Sequence, residues 1–202
     1  MKVAAIRQIV KEDGVCVVYT SQRGRQWIGT WGCMFLAEEG MKLNQDNVAG
    51  LLDFDEKEQK KIYFAEMALE GAALYPVPRR DQNEMTQMGL DIKTGDTFTV
   101  LEFDGKTYLV NNKKIKGAVG SAEYRRYYLG WNRVDAPLIV IDDGMVHAGV
   151  VQPESEDFVE AVQKTLRRVS FCRAGGWKPR EAEDATEDKE EGEQIGMEEM
   201  GQ

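Results

Sequence analysis

The chain has 202 residues, with 35 Asp and Glu against 26 Lys and Arg, a formal charge of −9. The longest apolar runs, Val15–Tyr19 and Leu138–Ile141, are strand-sized and far short of the roughly 18 residues of a membrane span. The three cysteines (Cys16, Cys33, Cys172) make no disulfide framework, His147 is the only histidine, and neither phosphate-cradling glycine motif is present.

The acidity is unevenly placed. Residues 178–202 hold ten acidic and three basic side chains, a balance of −7 that leaves −2 for residues 1–177. The tail has almost no large apolar side chains and reads as a disordered acidic extension. A body of this length suits one medium domain or two small ones. The segment Met1–Ile6 lacks the apolar core of a signal peptide and reads as leading into a strand, so a cytoplasmic protein with no membrane association is expected.

In chain order, residues 3–20 read as a hairpin, with Ile6, Ile9 and Val10 before Asp13-Gly14 and Val15–Tyr19 after it. Cys33–Ala37 before Glu38-Glu39-Gly40-Met41 reads as a second hairpin, with Cys16 and Cys33 as core residues. Residues 46–52 give a short helix and 55–61 a charged turn or second helix. The polar, Met-rich stretch 81–96 reads as a connection with partial helix. Asp104-Gly105 within 97–110, and Asp142-Asp143-Gly144-Met145 after Leu138–Ile141, mark two further hairpins. Residues 155–169 form a helix, with Ser155 as N-cap, Glu156 and Asp157 in its first turn, and an apolar face.

Shifting the chain by 104 residues aligns 27–62 with 131–166 at eight identities in 36 positions, among them Trp27 with Trp131 and Gly40-Met41 with Gly144-Met145. The fold expected is therefore α+β and hairpin-rich, a duplicated hairpin-plus-helix unit. Residues 1–67 and 97–177 are the two units, 68–96 the connecting segment and 178–202 the tail.

The second unit carries an insertion that is the most basic and aromatic part of the chain. Lys113, Lys114 and Lys116 lead to Tyr124, Arg125, Arg126 and Tyr127, then Trp131 and Arg133. The first unit has a shorter counterpart in Arg23, Arg25 and Trp27. Interleaved rings and cationic groups suit stacking and phosphate neutralisation, or a protein interface. The alternative is a solvated basic strand with tyrosines alternating into the core. The acid pairs Glu38-Glu39 and Asp142-Asp143 read as turn chemistry rather than as paired carboxylates, and His147 as a structural residue. No residue is assigned to catalysis, a metal or a cofactor.

The run Gln26-Trp27-Ile28-Gly29, Glu39-Gly40-Met41 and Leu51-Leu52-Asp53-Phe54-Asp55 resembles small proteins encoded by bacteriophages and prophages. So does Val140–Met145 followed by Val150-Val151-Gln152-Pro153 and a terminal helix. The resemblance implies a viral gene product acting in the bacterial cytoplasm or packaged in a virion. The function expected is that of a non-enzymatic accessory protein that binds and blocks a host component, for example a defence nuclease or its nucleotide signal. Its expected partner is a host protein. Nucleic-acid or nucleotide binding, and self-association as a virion or assembly component, are the alternatives.

Overall fold

The computed structural model describes residues 2–76, 83–118, 125–144 and 146–171. Tyr124, Cys172 and the acidic tail lie outside them. The described residues divide between Glu160 and Ala161 into two units. The described residues form an α+β fold with ten strands in two sheets and five helices.

The chain begins with helix α1 (Val3–Asp13), then the meander β1 (Val15–Thr20), β2 (Gln26–Gly29) and β3 (Cys33–Leu36). Two single-turn helices follow, α2 (Val48–Leu51) and α3 (Glu56–Gln59), then β4 (Tyr63–Ala68) and a 3-10 turn at Leu69–Gly71. Strands β5 (Thr86–Thr94), β6 (Asp96–Phe103) and β7 (Lys106–Asn111) make the smaller sheet. Helix α4 (Asn112–Ala118) then opens a second meander, β8 (Arg125–Trp131), β9 (Pro137–Asp143) and β10 (Val146–Val151), before α5 (Glu156–Phe171).

The larger sheet has the order β4-β1-β2-β3-β10-β9-β8. Each meander therefore runs inward, the first from β1 beside the edge strand β4 and the second from the edge strand β8, to the middle of the sheet, where β3 and β10 pair antiparallel. Helices α1 and α4, each preceding its own meander, pack against one another. One face of the sheet (Cys16, Val18, Ile28, Cys33, Phe35, Ile139, Ile141) meets Ile6, Ile9 and Val10 of α1, Ile115 of α4, and Leu101 and Val110 of the smaller sheet. The opposite face (Val17, Tyr19, Trp27, Met34, Leu138, Val140, Val150) is covered by Leu69, Ala72 and Leu74, just after β4.

The first expected hairpin is a helix. Ile6, Ile9 and Val10 recur at the three- and four-residue spacing of a helical face, and all three are buried. Gly14 ends the helix in the left-handed conformation (φ 67°), donating its N–H to the Val10 carbonyl at 2.9 Å. Asp104-Gly105 does close a hairpin, with φ of 50° and 72° and Phe103 opposite Lys106. The turn after β9 does the same for β9 and β10. The segment after β3 does not return as a strand, because β3 already pairs with β2 and β10 on its two edges. The stretch expected as a partly helical connection is extended instead: Glu84 bridges Tyr128, and Thr86–Thr94 is β5. The lysines of the basic insertion stand on α4, a helix and not a strand. The short helices, the Ser155-capped helix and the burial of Cys16 and Cys33 are as expected.

Helix α3 is fixed by its charges. Asp55 and Glu58 form a capping box, and Glu58 also binds Lys11 at 2.7 Å and Arg7 at 2.9 Å on α1. Lys11 first, then Arg7, pulls the Glu58 carboxyl down from 4.5 to about 2. A lowered carboxylate pKa adds stability that is complete above the unfolded value and is lost as pH falls through the folded one. Glu58→Gln is thus expected to lower the melting temperature at neutral pH, with the gap to wild type closing as pH drops from about 4.5 to about 2. Thermal melts across that range check it, and a gap independent of pH contradicts it.

Candidate functional site

Alternation along β2 and β3 sends Trp27 and Leu36 to the face opposite α1, where they are cross-strand partners. They form the floor of a cleft of roughly 600 Å³ at the end of the sheet where β1 turns into β2. That volume lies within the ~300–1,000 Å³ typical of small-molecule sites.

One wall is the β1–β2 turn, Arg23-Gly24-Arg25. The Ser21 hydroxyl accepts from the Arg25 N–H at 3.0 Å, the Ser21 N–H donates to the Arg25 carbonyl at 2.8 Å, and Gly24 supplies the left-handed residue at φ 76°. The Gln22 N–H donates to Glu70 at 2.9 Å, the main cause of the lowered Glu70 pKa, and ties the turn to the 3-10 segment. The arginines thus ride on a pinned backbone while their side chains are exposed.

The other wall is Glu38-Glu39-Gly40-Met41, beyond the end of β3. The Met41 N–H donates to the Glu38 carbonyl at 3.2 Å across a turn in which Gly40 has φ 88°. Gln26 anchors the same segment: its amide accepts from the Leu43 N–H at 2.6 Å and donates to the Leu43 carbonyl at 2.7 Å. Both walls therefore hang from the β1–β2 hairpin.

His147 completes the lining from β10. It stands opposite Asp142 in the β9–β10 register, next to a bulge, and its Nδ1 contacts the Asp142 carboxylate. This contact with the carboxylate fixes the orientation of the ring. Arg126 is the β8 partner of Asp142, so His147, Asp142 and Arg126 form a polar row across three strands. Arg126 also lies 3.9 Å from Glu84, and its hydrogen bond with Tyr128 favours its charged form.

Of the candidate residues named from the sequence, the cleft gathers Arg23, Arg25 and Trp27. Lys113 bridges Glu12 and Asp96 at 3.0 and 2.9 Å, and Lys114 lies 3.9 Å from Glu154. Lys116 is exposed on α4. Arg125 sits at the start of β8, its Nη1 3.4 Å from the Tyr127 hydroxyl, and Tyr127 is buried. Trp131 packs with the core on the α1 side of the sheet, the face away from Trp27, and Arg133 is exposed in the β8–β9 turn. Tyr124 is outside the described residues.

Glu38, Glu39, Met41 and His147 also line the cleft, outside the basic-aromatic runs. For Glu38, Glu39 and Met41 the signal in the sequence is the 104-residue alignment, which matches the two acid-Gly-Met turns; His147 carries no such signal. Neither Cys16 nor Cys33 is an activated thiol, because burial raises them to about 12 and about 11. Among the described residues there is no group of three or more His, Cys, Asp or Glu that could hold a metal, and no helix long and apolar enough to cross a membrane. No protein-family model, curated protein or solved structure matches the chain.

Proposed function

We propose that this is a non-enzymatic binding protein that holds a small anionic ligand of nucleotide type in the cleft between Arg23–Arg25 and Glu38–Met41. The observation that carries the reading is the concave site itself, with two guanidinium groups on one pinned turn beside an apolar floor. Guanidinium forks pair with phosphate oxygens through charge-assisted hydrogen bonds, and Trp27 and Leu36 offer apolar surface to a planar base. Trp27 is only 9% exposed, so it serves as floor and not as a stacking platform. In the setting the phage resemblance implies, such a protein sequesters a nucleotide signal of the host in the bacterial cytoplasm.

The basic insertion supports this reading less well, because Lys113, Lys114 and Arg126 already face carboxylates. A second reading, capture of a host protein, draws on β5: it is an edge strand of the smaller sheet, with Met88 and Leu90 about half exposed. The two helix-plus-meander units also support a duplication, in a register different from the 104-residue shift. Here β1, β2 and β3 correspond to β8, β9 and β10.

Isothermal titration of the full chain with the four nucleoside monophosphates tests the main reading. Saturable one-site binding of at least one, weakening as salt is raised, is expected. Absence of binding to all four at about 50 mM salt rejects the cleft as a nucleotide site.

A further inference from the structure

We propose that the carboxylates Glu38 and Glu39 make the cleft selective for guanine nucleotides. The inference rests on the nucleotide-binding reading above and adds the identity of the base.

The cleft is dipolar in its chemistry. Arg23 and Arg25 bring two positive charges on the β1–β2 turn, and Glu38 and Glu39 bring two negative charges on the segment leaving β3. A purely phosphate-binding site gains nothing from two carboxylates close to its arginines, since like charge opposes an anion. The pairing makes sense for a ligand with an anionic group at one end and clustered N–H donors at the other. Among the described residues no ion pair joins the two walls, and Glu38 and Glu39 are exposed. The two signs are thus not already spent on each other.

The four bases differ in what they present to a carboxylate. Guanine offers N1–H and N2–H side by side, two parallel donors that match the two oxygens of one carboxylate. Adenine and cytosine each place an acceptor nitrogen beside the exocyclic amine, and that lone pair faces the second oxygen. Uracil flanks its single N–H with two carbonyls. A carboxylate wall therefore accepts guanine and repels the other three at the same edge. The anchoring of this wall by Gln26, through both polar groups of Leu43, holds it against the floor on which the base rests.

The test is equilibrium titration of the full chain with guanosine, adenosine, cytidine and uridine monophosphates and with inorganic phosphate. Wild type is compared with Glu38→Gln/Glu39→Gln. The guanine nucleotide is expected to bind at least about tenfold more tightly than the other three, as for a bidentate base contact. In the double variant that preference should collapse, while affinity for inorganic phosphate stays the same or rises. Equal binding of all four nucleotides overturns guanine selectivity and leaves the nucleotide site standing. A guanine preference that survives in the double variant overturns the role of the carboxylates. Binding of no nucleotide removes the underlying site and this inference with it.

Discussion

Replacing Phe35 by alanine is expected to lower the unfolding free energy by about 3–5 kcal/mol, the usual cost of emptying a buried phenylalanine site. Phe35 is fully buried at the middle of the larger sheet, on β3, where the two meanders join. Its ring fills a slot made by two glycines. A Cβ on Gly117 of α4 would stand 2.6 Å from the Phe35 ring, and one on Gly149 of β10 would stand 3.1 Å from it. These glycines are required by close approach and not by backbone conformation. The site has little freedom to collapse, because the Gly149 position is also hemmed in by the Ala118 side chain and the Met34 carbonyl. Gly117→Ala in wild type is expected to cost about 1–3 kcal/mol by overpacking. In a Phe35→Leu background the same substitution should cost less, which denaturant melts of the two singles and the double can show. Additive effects would contradict the slot.

Arg23→Ala/Arg25→Ala is expected to weaken nucleotide binding by about 10–100-fold, since hydrogen bonds between charged partners are the strong ones. The melting temperature should stay unchanged. Neither guanidinium holds the fold: the β1–β2 turn is closed by Ser21, by the left-handed Gly24 and by the Gln22–Glu70 hydrogen bond, all through backbone groups or other side chains. Lys113→Ala/Lys114→Ala makes the complementary control. Those lysines reach Glu12, Asp96 and Glu154, so their loss should reduce stability and leave nucleotide affinity intact. The opposite pattern, with affinity lost in the lysine variant and kept in the arginine one, places the ligand on the basic insertion instead.

What could be read in the sequence was local. Asp104-Gly105 was recognisable because the turn chemistry sits in the two residues themselves. The identical dipeptide at 13–14 misled, because Gly14 uses the same left-handed freedom to end a helix whose buried face was already spelled by Ile6, Ile9 and Val10. Strand β5 escaped notice because nearly all its side chains are exposed, which leaves no alternation to detect. Helix α4 is hard to read because only Ile115 of its buried side is a large apolar residue; Gly117 and Ala118 are small, and their value lies in close approach to Phe35 and to Gly149. At the site, Arg23, Arg25 and Trp27 stood out as a short basic-aromatic run. Their meeting with His147 depends on β3 pairing with β10, more than 100 positions along the chain, and no local pattern encodes that pairing. Trp27 and Trp131 match in sequence but lie on opposite faces of the sheet, so the two basic-aromatic runs do not share one surface.

The most direct test of the account is to titrate isotopically labelled protein with guanosine monophosphate and follow backbone amide, indole and imidazole resonances by NMR. Saturable shifts are expected, centred on residues 23–27 and 36–41, the Trp27 indole and the His147 ring, with Lys113–Lys116 and β5 unmoved. Shifts centred on α4 or β5, or no saturable shift at all, would contradict it.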